Sequence, residues 1–475
     1  MSLVAGVDSS TRSTTVEVRH ADTGELVGRG RASHPATAPP VSEQDPADWW
    51  TAFEAAWSQA GASPVAALSV AAQQHGLVAL DGRRRVIRPA KLWNDTESSA
   101  DAGWLIAQAA ELSEDDDGRD WLARRTGSVP VASFTSTKLS WLHRSEPEAW
   151  ARLAHVLLPH DWLTFQLTGE LVTDRGDASG TGYWSPQDGG YCWDVLAIID
   201  AHRDWPAVLP HVLGPFEAAG TWGDTTIGPG TGDNMAAALG LGVQPGDVVV
   251  SVGTSGGLFT SADCAVVDPS GAVAGFADAA GRFLPLVGTL NAAGVSDAVA
   301  RLLGLDLDSF DGLAMASPPG AGGLTLVPWF DGERTPDRPA ASGLLRGLRT
   351  DVSAEQVARA AVEGVVCGLL HGLDKLAATG VDTDGRLLLT GGGARSPAYR
   401  QVLADLSGRV VTVPDAGDAV ACGAAVQAAA VVDGTDPSTL TDAWGLGLGP
   451  EVEPAAVDRE AVRQAYADAC RLYDA

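Results

Sequence analysis

A single carboxylate stands between glycines and small apolar residues in the stretch TGDNMAAALG, residues 231–240. In this position Asp233 could cap a helix, bind a metal ion or take a proton from a substrate. The residue type alone leaves the three roles open. The choice depends on which other groups the fold brings beside this carboxylate.

Two turns rich in Gly, Ser and Thr have a composition that suits phosphate: DSSTRSTT (8–15) and GTSGG (253–257). Glycine lets the backbone approach an anion, and successive N–H groups can point at it. Each turn taken alone is more typical of an ordinary hairpin. Asp8 ends the strand before the first turn, where it could hold Mg²⁺ through water or serve as a turn or cap residue.

A third glycine-rich stretch, GGGARSP (391–397), lies between an expected strand and an expected helix. Such a turn would place glycine backbone against a flat group such as adenine or ribose. The stretch does not fit GxGxxG, so a Rossmann dinucleotide site is a poor interpretation.

His75 follows a buried strand and is flanked by Gln74 and Gly76. A strand-end imidazole in this setting is well placed to hydrogen-bond a polyol. From the residues alone, this role and a purely structural one remain equally open.

The elements that must position these residues can be read from apolar periodicity. Strands are predicted within MSLVAGVD (1–8), TTVEVRH (14–20) and GELVGRGRASHP (24–35), which begin as a hairpin, and within PVAALSVAAQQHG (64–76). Acidic capping residues and aromatic residues at helical spacing predict a packing helix in DPADWWTAFEAAWSQA (45–60).

The second half repeats this pattern. PGDVVVSVGTSGGLFT (245–260) reads as strand, small polar turn and strand, which suggests duplicated domains that face one nucleotide. A helix is predicted over 353–380, with Gly380 as its stop, and strand, glycine turn and helix over 385–408.

The length, net charge, lysines and cysteines of the sequence limit the functions that the chain could have. A chain of 475 residues predicts two domains. The formal net charge of -28 argues against nucleic acid or an anionic membrane as a general partner. Each of the three lysines is followed by Leu, which excludes a Walker A sequence ending in Lys-Ser or Lys-Thr. Five scattered cysteines without a CxxC pair, no leader pattern and no 18-residue apolar run predict a protein of the reducing cytoplasm.

At this point the motifs coincide with a known family. The chain resembles the FGGY carbohydrate kinases over nearly its whole length, and within that family the group that phosphorylates D-xylulose. Beside the segments already quoted, the resemblance rests on these stretches in the family's order: AQQHGLVALD (72–81), RPAKLWND (88–95), SFTSTKLSWL (133–142), DRGDASGTGYW (174–184) and ACGAAVQAA (421–429).

The resemblance implies an α/β fold with two actin-like, ribonuclease-H-like domains and a deep catalytic cleft between them. Residues 1–243 would form the N-terminal domain, with the sugar side and the first phosphate turn. Residues 244–475 would form the C-terminal domain, on the ATP side.

The same resemblance assigns roles. Asp233 would be the general base, which takes the proton from the sugar hydroxyl during in-line attack on the γ-phosphate, and Asp8 would hold Mg²⁺. The sugar would be bound by Gln74, His75, Asp233 and Asn234, and ATP by Thr11, Arg12, Ser13, Gly253, Thr254, Gly392, Gly393 and Ser396.

Two features depart from the family pattern. Thr15 stands where many members carry Lys or Arg, and the nearest cation in sequence is Arg12. WNDTESS (93–99) lacks the Arg-Glu pair with which glycerol kinases hold their triol, so the chain favours a ketopentose over glycerol.

The resemblance therefore predicts ATP-dependent phosphorylation of D-xylulose to D-xylulose 5-phosphate. A kinase for another ketose or polyol is an alternative within the same machinery. An alternative of another class is a non-catalytic sugar-binding regulator. The expected partners are a small sugar and ATP, with no nucleic acid and no membrane, and a homodimer is one option for assembly.

Overall fold

The computed structural model describes residues 2–61, 64–415 and 417–473, and these form two compact units. Unit 1 consists of the described residues of Met1–Val243, Asp263–Leu284 and Ala416–Leu446, and unit 2 of those of Gln244–Ala262, Pro285–Asp415 and Gly447–Ala475. The expected division after residue 243 coincides with the first change of unit. Two later segments nevertheless pack with unit 1.

In the first half of the chain the strands are β1 (Leu3–Ser9), β2 (Ser13–His20), β3 (Leu26–Ser33), β4 (Glu43–Gln44), β5 (Ala67–Ala72), β6 (Val78–Leu80), β7 (Ala90–Lys91), β8 (His155–Leu157), β9 (Val172–Asp174), β10 (Trp184–Ser185), β11 (Gly190–Tyr191), β12 (His211–Leu213), β13 (Gly220–Trp222), β14 (Thr225–Ile227) and β15 (Thr231–Gly232). The helices are α1 (Pro46–Ala60), α2 (Ser99–Ala110), α3 (Gly118–Thr126), α4 (Thr135–Ser145), α5 (Pro147–Arg152), α6 (Pro159–Thr168), α7 (Arg175–Ser179), α8 (Trp193–Ile199), α9 (Trp205–Val208) and α10 (Asp233–Gly240).

In the second half the strands are β16 (Val248–Val252), β17 (Gly256–Thr260), β18 (Ala274–Ala277), β19 (Phe283–Thr289), β20 (Thr325–Val327), β21 (Leu344–Arg346), β22 (Leu387–Thr390), β23 (Val411–Thr412) and β24 (Glu451–Val452). The helices are α11 (Ala293–Leu303), α12 (Leu307–Ala316), α13 (Ala354–Ala378), α14 (Pro397–Ser407), α15 (Ala419–Asp433), α16 (Pro437–Ala443) and α17 (Arg459–Cys470). Short 3-10 turns cover Ala321–Gly323, Gly392–Arg395 and Arg471–Tyr473.

The predicted elements around the motifs are confirmed. Helix α1 begins where the Asp45 side chain accepts from the Ala47 N–H at 3.0 Å, and it ends at Gly61 in the left-handed conformation. Its apolar stripe, with Trp49 and Phe53, is buried against the sheet of unit 1. In α13, Ser353 and Gln356 form the capping box that starts the long predicted helix.

The main sheet of unit 1 has the strand order β13-β14-β5-β1-β2-β3. β1, β2 and β3 are antiparallel, whereas β14, β5 and β1 run parallel, and the short β15 also pairs parallel with β5. In unit 2 the order β19-β17-β16-β22-β23-β24 repeats this plan. Antiparallel β19, β17 and β16 are followed by parallel β22 and β23. The predicted duplication is therefore present in the backbone.

Helix α15 covers one face of the unit 1 sheet, although it begins about 410 residues after the end of β1. Val4 and Ala67 of the sheet pack with Cys422, Ala425 and Val426 of this helix. Burial of this small apolar face explains why the segment belongs to unit 1.

Close packing also joins α15 to α10. A Cβ atom on Gly423 would lie 2.6 Å from the carbonyl carbon of Ala236 and 2.9 Å from the nitrogen of Gly240. Only glycine allows the two backbones to approach this closely.

Among the described residues, no helix is both long and apolar enough to cross a membrane.

Candidate active site

The predicted sugar-side residues meet at one edge of the unit 1 sheet. β1, β5 and β15 run parallel, with Ser9 and Gly232 both in register with Ala72. Their carboxyl ends lie side by side, as at the ligand-binding edge of other open α/β sheets. Asp8, the segment 73–75 and Asp233 therefore come together, although more than 200 residues separate the first from the last.

Asp233 is the first residue of α10 and is linked to the end of β5 through Asn234. The Asn234 amide donates to Asp233 Oδ1 at 2.9 Å and to Gln74 Oε1 at 2.6 Å. A Cβ atom on Gly232 would lie 2.6 Å from Gln74 Cγ, so glycine before Asp233 lets the Gln74 amide take this position. The structure thus joins three of the four predicted sugar-binding residues in one hydrogen-bonded chain.

Burial raises the pKa of Asp233 to about 6, and hydrogen bonds from the backbone N–H of Asn234, from its own N–H and from the Asn234 side chain limit the rise. The carboxyl group remains largely ionised at neutral pH. It is also a stronger base than an ordinary aspartate, because its affinity for a proton is higher.

Two buried amide donors at this edge lack a partner among the described residues. They are Nε2 of Gln73 and Nε2 of Gln74. A buried donor without an acceptor costs about 1–3 kcal/mol, so such groups are normally satisfied by water or a ligand. The hydroxyl oxygens of a sugar are acceptors of the required kind.

His75 stands at the same edge in a constrained conformation. Its φ of 65° is in the left-handed region, which is uncommon for residues other than glycine. The ring packs between Phe134 and Phe276, at centroid distances of 5.1 and 5.5 Å. A Cβ atom on Gly180 would lie 2.5 Å from His75 Nδ1. The imidazole is therefore held on several sides.

Asp8 lies near the end of β1, and its two carboxylate oxygens accept hydrogen bonds from the Ser10 hydroxyl at 2.6 and 2.7 Å. Burial, followed by repulsion from Asp418 and Asp233, raises the pKa of Asp8 well above its usual range. A divalent cation would relieve this crowding of negative charge, so the predicted role of Asp8 fits its surroundings.

The other residues of the predicted first phosphate turn (8–15) lie in different environments. The Thr11 hydroxyl donates to Gln73 Oε1 at 3.1 Å and accepts from Trp93 Nε1 at 2.9 Å. Its side chain therefore contacts the sugar-side segments. Ser13 is buried in β2, and the Arg12 side chain is exposed. Trp93 is in a quoted motif, but its spacing gave no indication of this contact.

In unit 2 the predicted nucleotide residues meet at the ends of β16 and β22, which are parallel. Gly253 and Thr254 form the turn after β16, and their carbonyls accept from the N–H groups of Ala293 and Gly294 at the start of α11, at 2.8 and 3.2 Å. Thr254 is exposed. This turn is thus fixed by its backbone and leaves its side chain accessible.

The glycine turn after β22 packs on the same strand end. A Cβ atom on Gly393 would lie 2.8 Å from Val252 Cβ, whereas Gly392 is exposed. Ser396 caps α14 by accepting from the Tyr399 N–H at 3.1 Å, and its hydroxyl donates to Asp311 at 2.8 Å. The Ser396 hydroxyl therefore already has two structural partners.

One cluster was not foreseen. Lys91, which is fully buried, lies 3.0 Å from Asp95, 3.2 Å from Glu43 and 2.5 Å from Glu97. These three carboxylates are the one group in the described part of the chain with the spacing of a metal site. The ammonium group already supplies their counter-charge, so the cluster is a structural ion-pair network.

A second buried network supports the strand before Asp233. The Thr231 hydroxyl donates to Asp174 at 2.7 Å, and the ring of His160 lies 3.4 Å from the same carboxylate and 3.6 Å from Asp177. Burial alone would lower the pKa of His160, but Asp161 and the other carboxylates raise it well above its usual range. The charged ring and the carboxylates hold residues 230–232 in place.

Comparisons with known proteins show which family the chain matches. Residues 3–240 match the N-terminal domain of the FGGY family of carbohydrate kinases, and residues 248–432 match its C-terminal domain. The xylulose kinase of Streptomyces rubiginosus is 46% identical over 96% of this chain and 94% of its own length. The xylulose kinase of Streptomyces coelicolor is also 46% identical, over 96% of this chain and 93% of its own length.

The xylulose kinase from Bifidobacterium adolescentis, for which a crystal structure is known, is 41% identical in sequence to this chain. The two structures superpose over 99% of each chain with a TM-score of 0.88. The α/β fold with two actin-like, ribonuclease-H-like domains, expected from the motifs, is thus the fold of this chain.

Proposed function

Because the chain belongs to the FGGY family of carbohydrate kinases, we propose that it transfers the γ-phosphate of ATP to D-xylulose and releases D-xylulose 5-phosphate and ADP. The observation that carries the proposal is the position of Asp233, a base with a pKa of about 6 beside the Gln74 and Asn234 amides. The 46% identity to xylulose kinases supports this choice of sugar.

In the proposed reaction Asp233 takes the proton of the terminal sugar hydroxyl as its oxygen attacks phosphorus. The new bond joins the sugar oxygen to the γ-phosphorus, and the bond to the β-phosphate oxygen breaks, so ADP leaves with the electron pair. A free hydroxyl is a poor nucleophile at neutral pH. A carboxylate within about 3 Å that accepts the proton in the transition state removes this obstacle.

Sugar orientation is assigned to the end of β5 and the start of α10. The unpaired Nε2 donors of Gln73 and Gln74 would each gain a hydroxyl acceptor, and the fixed His75 ring would present a nitrogen. The Asn234 amide donates to both Asp233 and Gln74 and so fixes these two side chains relative to each other. Preorganised groups of this kind lower the entropic cost of reaching the reactive geometry.

For the nucleotide we propose the accessible side of the two turns in unit 2. Thr254 and Gly392 are exposed there, and Gly253 and Gly393 allow close approach of the backbone. Because the Ser396 hydroxyl is engaged with Asp311, its proposed contribution is to fix the turn rather than to bind ATP directly.

Asp8 would hold the Mg²⁺ that accompanies ATP. When bound, the ion neutralises phosphate charge and orients the phosphates. The residues fit it, since Asp8 is a buried carboxylate whose oxygens accept a hydrogen bond only from the Ser10 hydroxyl among described side chains. Ser10 fixes the rotamer of Asp8 and so the direction in which it presents its oxygens.

The test is a coupled ADP-release assay with MgATP and a panel of D-xylulose, D-ribulose, L-ribulose, L-xylulose, glycerol and gluconate. We expect kcat/KM for D-xylulose to exceed that of every other sugar at least tenfold, about 1.4 kcal/mol of discrimination. A different preferred sugar would retain the kinase mechanism and overturn the substrate. No turnover with any sugar would leave a sugar-binding regulator as the better interpretation.

A further inference from the structure

A row of three residues crosses the first three strands of unit 1. Asp8 of β1 is in register with Thr15 of β2, and Thr15 is in register with Arg31 of β3. Residues directly opposite each other in antiparallel strands point to the same face of the sheet. Arg31, 23 residues beyond Asp8 in sequence, therefore shares a face with the carboxylate assigned to the phosphate side.

The spacing of the strands allows the side chains of Asp8 and Arg31 to contact the same ligand. Two strand spacings separate Asp8 from Arg31, about 10 Å between their backbones. Thr15, between them, is short and buried, whereas Arg31 is exposed and long enough to lie over it.

Other arginines on this part of the sheet are already paired. Arg29 lies 3.3 Å from Asp418 and 3.7 Å from Glu17, and Arg19 lies 2.6 Å from Glu17. For Arg31, by contrast, no carboxylate of a described residue lies within 4.0 Å. Its side chain is a cation without an ion-pair partner in the described part of the chain.

An anionic ligand at this edge needs such a cation. Asp8, Asp233 and Asp418 repel phosphate, and the whole chain carries a net charge of -28. An arginine guanidinium is suited to offset this repulsion, because it offers several N–H donors to phosphate oxygens and stays protonated.

We propose that the guanidinium of Arg31 binds phosphate oxygens of ATP in front of Asp8 and stabilises the phosphoryl group during its transfer. The inference rests on the proposed function and adds a residue to it. Arg31 exchanges no proton and forms no covalent bond in the reaction. Its charge offsets the charge that the transferring oxygens carry between the breaking and the forming bond.

The first test compares R31A with the intact chain in the ADP-release assay, with D-xylulose as acceptor. We expect kcat/KM for MgATP to fall about 10- to 100-fold, the effect of one lost charge-assisted hydrogen bond to phosphate. The affinity for D-xylulose should change less than twofold. R83A is the matched control, because Arg83 is an exposed arginine of unit 1 in the turn after β6.

The second test moves the cation along the row. In the double variant R31A/T15K the ammonium starts one strand nearer to Asp8, and we expect at least a tenfold gain in kcat/KM for MgATP over R31A. If T15K prevents folding, R31K and R31Q replace it. R31K should then retain several times the activity of R31Q, because it keeps the charge.

Failure of the proposed kinase function and failure of the Arg31 inference would give different results. If the intact chain turns over no sugar, the proposed function fails, and the Arg31 inference is then judged by calorimetric titration of R31A with MgATP. If the intact chain is active and R31A stays within twofold of it, the inference about Arg31 is wrong and the kinase function stands. Equal losses for MgATP and D-xylulose would also overturn the inference, since they indicate general damage.

Discussion

Asp233 combines two properties that conflict in most carboxylates. In its proposed role as general base it must be ionised to accept a proton, and it must hold that proton well enough to help the reaction. Burial at the start of α10 raises its pKa, and the hydrogen bonds from Asn234 prevent a larger shift. The value of about 6 lies near the optimum for a base that works at neutral pH.

Replacement of the base separates catalysis from binding. D233N keeps the shape and a hydrogen-bonding group but cannot take a proton, so we expect kcat to fall about 10²- to 10⁴-fold. The dissociation constant for D-xylulose, measured by calorimetry, should change only a few-fold. D224N is the control, because Asp224 is exposed in the turn between β13 and β14.

If D233N kept more than a tenth of the turnover, another group would be the base. If D-xylulose binding were lost together with turnover, Asp233 would be chiefly a ligand of the sugar.

The pH dependence follows from the raised pKa of Asp233. Because the ionised form is active, kcat/KM for D-xylulose at saturating MgATP should rise with pH through about 6 and level off above 7. At pH 5 about a tenth of the groups are ionised, so we expect a roughly tenfold loss.

The control for the pH profile is the affinity for MgADP over the same range. A midpoint near the ordinary aspartate value of 3.8 would show that Asp233 is not perturbed in solution. A loss of MgADP affinity with a midpoint near 6 would assign the profile to the nucleotide instead.

At the scale of elements, the position of Asp233, the proposed base, depends on how α10 and α15 pack together. α10 carries Asp233 at its first residue, and its other end lies against α15 through glycine. No side chain separates the two backbones at Gly423, so the spacing of the helices is determined by main-chain contact. A change there shifts the whole of α10.

We expect G423A to lower the melting temperature, since the added methyl group would meet the Ala236 carbonyl and the Gly240 nitrogen. Overpacking of this kind costs about 1–3 kcal/mol. Because α10 must move, kcat should fall as well. Differential scanning fluorimetry and the ADP-release assay measure the two effects.

G103A is the matched control, a helical glycine of α2 whose added Cβ has no atom within 4 Å. It should leave activity unchanged and increase stability by up to about 1 kcal/mol. If G423A and G103A behaved alike, the close packing of α10 and α15 would be unimportant for the site.

At the scale of the whole molecule, the chain leaves unit 1 and returns to it. Segment 263–284 and helix α15 complete a unit that the first 243 residues begin. Without α15, the apolar face that contains Val4 and Ala67 would be open to water. The family's N-terminal domain in sequence is therefore smaller than the compact unit to which it belongs in space.

A chain of residues 1–243 alone should consequently lack a cooperative thermal transition in circular dichroism, because the apolar face that α15 covers would be exposed to water. The full chain is the reference. Joining residues 417–446 to 1–243 through a flexible linker should restore part of the transition. A cooperative transition in 1–243 alone would contradict the view that α15 is essential to unit 1.

The amino-acid sequence by itself determined the local elements and the order of the motifs. Asp45 and Gly61 around α1, and Ser353 at the start of α13, are local signals, because a cap bonds to residues within one turn of the helix. The position of Asp233 at the beginning of a helix after a glycine turn is local in the same sense.

The tertiary structure alone decided which distant residues meet. The contacts of Thr11 with Trp93, of Lys91 with Glu43 and of α15 with β1 require strand pairing and packing that no local pattern specifies. Arg12 lies within the predicted phosphate turn, yet Arg31 shares the face of Asp8. A shift of one residue in strand register would turn Arg31 to the opposite face, and register depends on the whole sheet and its covering helices.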